Sequence, residues 1–460
     1  MKEPSSIDVK DLINESPIGP FHFIVLFFCF LIVAVDGYDT GAIGYVAPSL
    51  VAEWGVAKPA LAPLLSAALF GLAAGALTAG PMADRFGRKK VVILSVALFG
   101  IFSLGTAFAG TLDQMTVWRF LTGIGLGAAM PNAITLMAEY CPERRRAVIV
   151  NTMFCGFPLG ASLGGVLAAW LVPSFGWRSV LLVGGAGPLL LAALLIALLP
   201  ESVMHLAVRG NEVDRIKKIL SRITLRNLDA VQTFVVTEKG HHDGGQALRL
   251  VLSRQYAIGS VMLWVTYFMG LVMFYLLTSW MPLIMKGTGF SIEKAALLSA
   301  LFPLGGGIGA IFAGWLMDRV VPHFVIAGAY ALTGVLLCCV ANVLHEPVLL
   351  ALMIFLAGTA MNGAQVSMPT LGAAFYPTAA RATGVSWMLG VGRFGAISGA
   401  LIGGEFMRWQ LGFSSIFMLI AIPAFVATAA LVVKYVWSRA KVGLAEVGVV
   451  ASQGQQEELA

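Results

Sequence analysis

Residues 21–46 read FHFIVLFFCFLIVAVDGYDTGAIGYV, an apolar run long enough to cross the roughly 30 Å hydrocarbon core of a bilayer as a helix. Two carboxylates, Asp36 and Asp39, stand toward its far end. A carboxylate at such depth costs several kcal/mol, about 2.5 or more by insertion measurements, so it faces a cavity, a partner or a proton. The run is therefore read as a membrane-spanning helix carrying a site. Arg119, inside another apolar run, is the expected partner of the two acids.

Outward from that run, the 460 residues are 58% hydrophobic and only 12% charged, with a mean hydropathy of +0.86. Soluble domains carry about 25% charged residues. Further runs of spanning length fall at 60–82, 91–109, 112–138, 147–172, 179–199, 256–281, 295–316, 324–343, 348–371, 383–406 and 414–435. The expected fold class is an all-α membrane protein of twelve transmembrane helices.

With both termini inside, most of the 30 Lys and Arg fall on the inner side, and the outer side holds only Lys58, Arg178, Lys286, Lys294 and Arg408. That bias is what orients chains in a cytoplasmic membrane. The net charge of +6 thus reports topology and not a nucleic-acid partner. The first apolar run is too long for a signal-peptide core, and no cleavage is expected. The five cysteines lie in the runs or near the inner face, so no structural disulfide is expected.

The two ends of the chain repeat one another. Gly71, Gly75, Gly80, Asp84 and Arg85 recur as Gly305, Gly309, Gly314, Asp318 and Arg319 at an offset of 234. Pro142, Arg146, Ala147, Gly160 and Gly164 recur as Pro377, Arg381, Ala382, Gly395 and Gly399 at an offset of 235. Six segments repeated in one orientation are the layout of transporters whose halves rock about a midplane site. The domains are read as a cytoplasmic N-terminal segment 1–20, six-helix halves 21–200 and 256–437, a polar cytoplasmic linker 201–255 and a tail 438–460.

Residues that break the repeat are expected to serve function. By the same offsets Asp36 meets Gly270, Asp39 meets Met273, Arg119 meets Met353, and Arg393 meets Pro158. At 1.5 Å per residue the two acids and Arg119 share the outer half of the membrane, and Arg393 lies near its middle, about 15 Å along its helix. An arginine favours the carboxylate while burial opposes it, a competition that can poise a proton site. The same residues also fit a permanent ion pair that locks two helices. Arg393 has no carboxylate at matching depth in its own half, and a bound anion would satisfy it.

The second segment ends in Gly80-Pro81-Met82-Ala83-Asp84-Arg85-Phe86-Gly87-Arg88-Lys89, in which Gly80 is expected to let a neighbouring helix approach and Asp84 to meet an arginine or a helix N-terminus. With Arg119-x-x-x-Gly123-x-Gly125-x-Gly127-Ala128 this resembles the major facilitator superfamily over essentially the whole chain. Within it, Asp36-Gly37-Tyr38-Asp39, Pro131-Asn132 and Glu139-Tyr140-Cys141-Pro142-Glu143 are similar to the aromatic acid:proton symporters. The resemblance implies proton-coupled uptake of an aromatic carboxylate such as 4-hydroxybenzoate. It assigns proton coupling to Asp36, Asp39, Arg119 and Glu139, although Glu139 also fits a surface ion pair. Gating falls to Gly80, Asp84, Arg85, Gly87, Arg88, Asp318, Arg319 and Arg381.

For the substrate, Arg393 is expected to take the carboxylate. Tyr38, Trp264, Tyr267 and Trp387 are candidates for the ring, as are Phe274 and Trp280. Asn132, Asn362 and Gln365 are the polar groups expected to face a cavity. Glycine stripes in segments two, five, eight and eleven are read as sliding surfaces between halves or as static packing. Gly390-Val391-Gly392-Arg393-Phe394-Gly395 spells a dinucleotide fingerprint but lies inside an apolar run, which excludes that use. His241-His242 lacks further ligands, so neither metal nor cofactor is expected. The partners expected are a small aromatic acid, protons and membrane lipid, with a monomer sufficient. A sugar remains the alternative cargo, because Pro200-Glu201-Ser202 resembles the end of the sixth segment in sugar carriers. A sensor is disfavoured by the short tail, and an enzyme by the lack of a metal or nucleophile constellation.

Overall fold

The structure, a computed structural model, describes residues 6–210, 212–224, 228, 231, 233–235 and 244–457. His241-His242 lie outside them. Among the described residues twelve helices are long and apolar enough to cross a membrane. The first half holds α1 (Val9–Glu15), α2 (Pro20–Trp54), α3 (Ala62–Phe86), α4 (Arg88–Ala107), α5 (Leu112–Tyr140), α6 (Glu143–Phe154), α7 (Gly156–Phe175) and α8 (Arg178–Leu198). Then come α9 (Val203–Arg209), α10 (Val213–Leu220), α11 (Gly244–Val251), α12 (Ala257–Gly287), α13 (Ile292–Met317), α14 (Pro322–Val340), α15 (Pro347–Phe375), α16 (Thr378–Arg408) and α17 (Phe413–Glu457). Large apolar side chains such as Phe23, Leu77, Trp170, Leu190, Val348 and Phe394 remain exposed on these helices. A helix that is apolar all round needs lipid on its outer face.

The chain divides into two compact units, Met1–His241 with Leu277–Leu304 and Ala400–Trp409, and His242–Leu276 with Gly305–Gly399 and Gln410–Ala460. Within each, glycine stripes set the closest helix pairs. A Cβ on Gly71 or Gly75 would strike the carbonyl of Phe120 or Ile124 in α5, and one on Gly156 or Gly160 that of Phe30 or Ala34 in α2. In the second unit Gly305 and Gly309 back onto Phe355 and Thr359 of α15, and Gly395 and Gly399 onto Phe268 and Val272 of α12. The stripes therefore join helices of the same half, α3 with α5 and α13 with α15, α2 with α7 and α12 with α16. Of the two readings, sliding surfaces or static packing, these contacts are the static packing: backbones this close exclude any side chain between them. Gly80 and Gly314 have nothing within 4 Å of a Cβ among the described residues, so the helix approach expected at Gly80 is not made here.

Two further departures are local. The fifth segment is interrupted at Cys155, where α6 ends and α7 begins. Pro158 cannot donate to the carbonyl four residues back, at Phe154, and its ring crowds that turn. Part of the expected polar linker, including Val203, Leu206, Ile216, Leu220 and Phe234, packs in the core of the first half. A parallel pair of three-residue strands, β1 (Ser6–Asp8) and β2 (Thr233–Val235), aligns Ile7 with Phe234. Val9, Leu12 and Ile13 join Leu206, Ile216, Leu220 and Phe234 in one core with Phe21 and Phe28 of α2. Lys10 pairs with Glu143 at 3.1 Å, and Asn14 Oδ1 accepts from the Glu143 amide at 2.9 Å, which ties α1 to the start of α6. Strands this short leave no alternation to read in the sequence.

Candidate functional site

Asp39 and Arg119 meet in the first unit. Nη1 of Arg119 donates to Oδ1 of Asp39 at 2.7 Å, and both side chains are 1% exposed. Nη2 reaches the Asp39 carbonyl at 3.4 Å, and Ser103 Oγ on α4 donates to the same Oδ1 at 3.4 Å. Oδ2 of Asp39 and Nε of Arg119 are buried with no hydrogen-bond partner among the described residues. Asp36, one turn earlier on α2, is likewise buried. Gly37, between the acids, lies where a Cβ would strike the Phe157 carbonyl, so α7 crosses α2 at the level of the motif. Tyr38 donates to the Val180 carbonyl at 2.9 Å and its ring packs on Gly184, which commits that ring to the α2–α8 contact.

Glu139 lies elsewhere. It shares α5 with Arg119 but stands 20 residues on, about 30 Å along the helix. There it belongs to a cluster centred on Arg88 at the start of α4. Arg88 pairs with Asp84 at 3.1 Å and Glu139 at 3.3 Å, and its Nη1 is 3.4 Å from Nδ1 of His205. Ser202 Oγ donates to the other Glu139 oxygen and accepts from the His205 amide at 3.0 Å. Glu201 accepts from the amides of Lys89 at 2.9 Å and Ser202 at 3.0 Å. Gly87 carries the turn at φ +99°, with Glu201 Oε2 2.7 Å from where a Cβ would sit. Side chain and left-handed backbone are both excluded there for other residues. Burial holds the His205 imidazole below its ordinary pKa, with Arg209 and Arg88 acting in the same direction against Glu201 and Asp84. Sequence reasoning placed Gly87, Asp84, Arg88 and Glu139 at this end but missed Ser202 and His205, and read Glu201 only as a sugar-carrier signature. Arg85 is exposed over the Phe86 ring.

The second copy of that motif is open. Asp318 and Arg381 are exposed and make no ion pair among the described residues, and Arg319 stacks on Trp315 at 3.9 Å. Lys434, near the end of the run at 414–435, is 1% exposed. Its Nζ sits 2.7 Å from His323 Nε2 and 4.4 Å from the Phe375 ring centre. The long apolar stem allows that burial, and the ring face attracts the cation.

Arg393 on α16 is half-buried, with no hydrogen-bond or ion-pair acceptor among the described residues. The ring beside it is Tyr267 of α12, which lies against the Cα of Gly392 and in the electrostatic field of the arginine. Gln365 of α15 donates through Nε2 to the Tyr267 carbonyl at 3.4 Å and accepts from the Tyr330 hydroxyl at 2.6 Å. Trp264 stacks on Trp387 at 5.9 Å. Asn132 and Asn362 each turn their amide back to a carbonyl of their own helix, Ala128 at 2.8 Å and Gly358 at 2.9 Å. Trp280 donates to the Ala400 carbonyl at 2.8 Å and is fully buried.

Twelve spanning helices in two repeated sets, with unlike charged sites in the two units, define a secondary transporter. Residues 29–388 and 263–451 match the Major Facilitator Superfamily, and the chain belongs to that superfamily, closely related to 4-hydroxybenzoate transporters of its aromatic acid:proton symporter family. It is 50% identical over 432 residues to the 4-hydroxybenzoate transporter PcaK of Acinetobacter baylyi, covering 94% of each chain. To the protein of that name in Pseudomonas aeruginosa it is 47% identical, covering 95% of this chain and 98% of the other. A gallate transporter of Pseudomonas putida is also 47% identical, over 92% and 94%. Among solved structures, the inward open conformation of the xylose transporter XylE from E. coli matches with a TM-score of 0.70, covering 89% of this chain and 95% of that one. At 18% identity that likeness is one of fold.

Proposed function

We propose that this protein imports a hydroxybenzoate-like aromatic acid together with protons across the cytoplasmic membrane, with both termini inside and a monomer as the working unit. The observation that carries the reading is the buried Asp39–Arg119 pair in a chain about half identical to 4-hydroxybenzoate transporters. Oδ1 of Asp39 is occupied by Arg119 and Ser103, which leaves Oδ2 as the oxygen that takes a proton. A protonated carboxyl no longer holds the guanidinium by charge, so loading frees α2 and α5 to separate. Asp36, on the same helix, is the second candidate for the proton. Glu139 acts with Arg88, Asp84, Arg85 and Gly87 in closing the cytoplasmic end. Gly80 serves the same end of the first unit, and Asp318, Arg319 and Arg381 are the gating residues of the second.

Arg393 is the carboxylate ligand. An arginine with no anion partner among the described residues offers two parallel N–H donors to a substrate that arrives as an anion. Within the same unit Tyr267 supplies ring surface beside it, with Trp264, Trp387 and Gln365 as further candidates, while Tyr38, Asn132 and Asn362 are held by the hydrogen bonds they already make. The test is uptake of radiolabelled 4-hydroxybenzoate into proteoliposomes with and without an inward proton gradient, against benzoate, gallate and xylose as competitors. Gradient-dependent accumulation blocked by the aromatic acids and not by xylose is expected. Uptake indifferent to the gradient removes the proton from the mechanism, and uptake blocked by xylose replaces the cargo.

A further inference from the structure

Gly270 stands where the repeat puts Asp36 in the first half. The space a side chain would fill there is taken by Gln365 Oε1 and the Tyr330 hydroxyl, the latter 2.6 Å from where a Cβ would sit. Tyr330 is fully buried, and nothing in the sequence pattern singles it out. The orientation of the Gln365 amide follows from its surroundings. The Tyr267 carbonyl can only accept, so the side of the amide that faces it must be NH2. Oε1 then faces Tyr330, whose hydroxyl must donate. Bonds in such a chain polarise one another, so losing the first weakens the next.

The chain continues to the substrate side. The Gln365 side chain also lies toward the Tyr267 hydroxyl, which feels the charge of Arg393. The Tyr267 ring abuts the backbone at Gly392, one residue before that arginine. We propose that Tyr330 is a positioning residue for substrate binding: through Gln365 it holds Tyr267 against the α16 turn from which Arg393 reaches the substrate carboxylate. This rests on the reading of Arg393 as the carboxylate ligand. A ring that drifts loosens the arginine's geometry, and bidentate contacts are sensitive to such drift.

The experiment measures binding and gradient-driven uptake of 4-hydroxybenzoate and benzoate in Tyr330→Phe, Gln365→Met and the double variant, with thermal stability as the folding control. In Tyr330→Phe the Kd and KM for both acids are expected to rise about tenfold, the equivalent of one hydrogen bond, with kcat little changed. In the Gln365→Met background the same substitution is expected to add no further loss, because the two act in series. Gln365→Met, which removes both bonds at similar length, is read in the same way should Tyr330→Phe not fold. An unchanged Kd, a loss confined to 4-hydroxybenzoate, or equal losses in both backgrounds overturns the proposal. Failure of the wild-type protein to bind either acid overturns the functional reading instead.

Discussion

The two halves share a fold and differ in what they bury. In the first unit the pair at the core is charged, Asp39 with Arg119 at 2.7 Å; in the second it is neutral, Tyr330 with Gln365 at 2.6 Å, near an arginine that has no anion partner among the described residues. Helix packing follows the repeat, since the same glycine stripes join α3 to α5 and α13 to α15. Chemistry departs from it. A charged pair can change state by taking up a proton, while a neutral pair beside a lone cation stays fixed until an anion arrives. On the proposed function, the halves would divide coupling from recognition. A second contrast lies at the arginine-rich end, where Arg88 holds Asp84, Glu139 and His205 while Asp318 and Arg381 stand open. Glu201 supplies the first cluster, and by the offset of 235 its counterpart is the apolar Val436.

The largest expected effect breaks the charged side of the comparison. Arg119→Met leaves Asp39 buried without its partner and is expected to cost about 3 to 5 kcal/mol of stability, with transport lost. Asp39→Leu combined with Arg119→Met replaces the pair by apolar groups and should recover most of that stability while transport stays absent. Thermal unfolding in detergent together with proteoliposome uptake checks both. Recovery of gradient-driven uptake in the double variant would make the pair a structural lock and erase the division between halves.

A smaller effect sharpens the neutral side. Gly270→Ala puts a methyl group into the space of the Tyr330 hydroxyl and Gln365 Oε1 and should cost about 1 to 3 kcal/mol. Gly80→Ala meets nothing within 4 Å and should be neutral to slightly stabilising, by about 1 kcal/mol at most from helix propensity. Loss of transport in Gly80→Ala at unchanged stability would mean that a helix approaches Gly80 in another step of the cycle.

The smallest effect concerns His205. Its pKa is lowered in the folded protein, so near pH 6.5 the unfolded chain binds more protons and stability falls as pH drops through that range. His205→Gln should flatten the pH dependence of the melting temperature between about pH 7 and 5. An unchanged slope would place the proton uptake on another group.

How far the sequence could be read differs between these regions for physical reasons. Twelve spans follow from apolar length alone, because a bilayer demands about 20 such residues of any helix that crosses it. The Asp39–Arg119 pairing was legible too, since a charge at that depth needs a partner and few are available. Tyr330 was not, because an aromatic residue in an apolar run carries no cost that would mark it. Nor were Ser202 and His205, whose roles depend on a linker folding back onto α4 and α5. The burial of Lys434 was not legible either, because the long apolar stem that allows it leaves no mark in the sequence pattern.

By itself, then, the sequence determined the number of spans, the repeat, and the charges that must be answered inside the membrane, since each follows from transfer energies that act residue by residue. Tertiary structure alone decided which carboxylate holds Arg119, that Glu139 belongs to a separate cluster, that the glycine stripes bind helices within a half, and that Gln365 is already held by Tyr330. Those depend on which side chains the helices bring within about 3 Å of one another, a range over which hydrogen bonds form and which no spacing along the chain specifies.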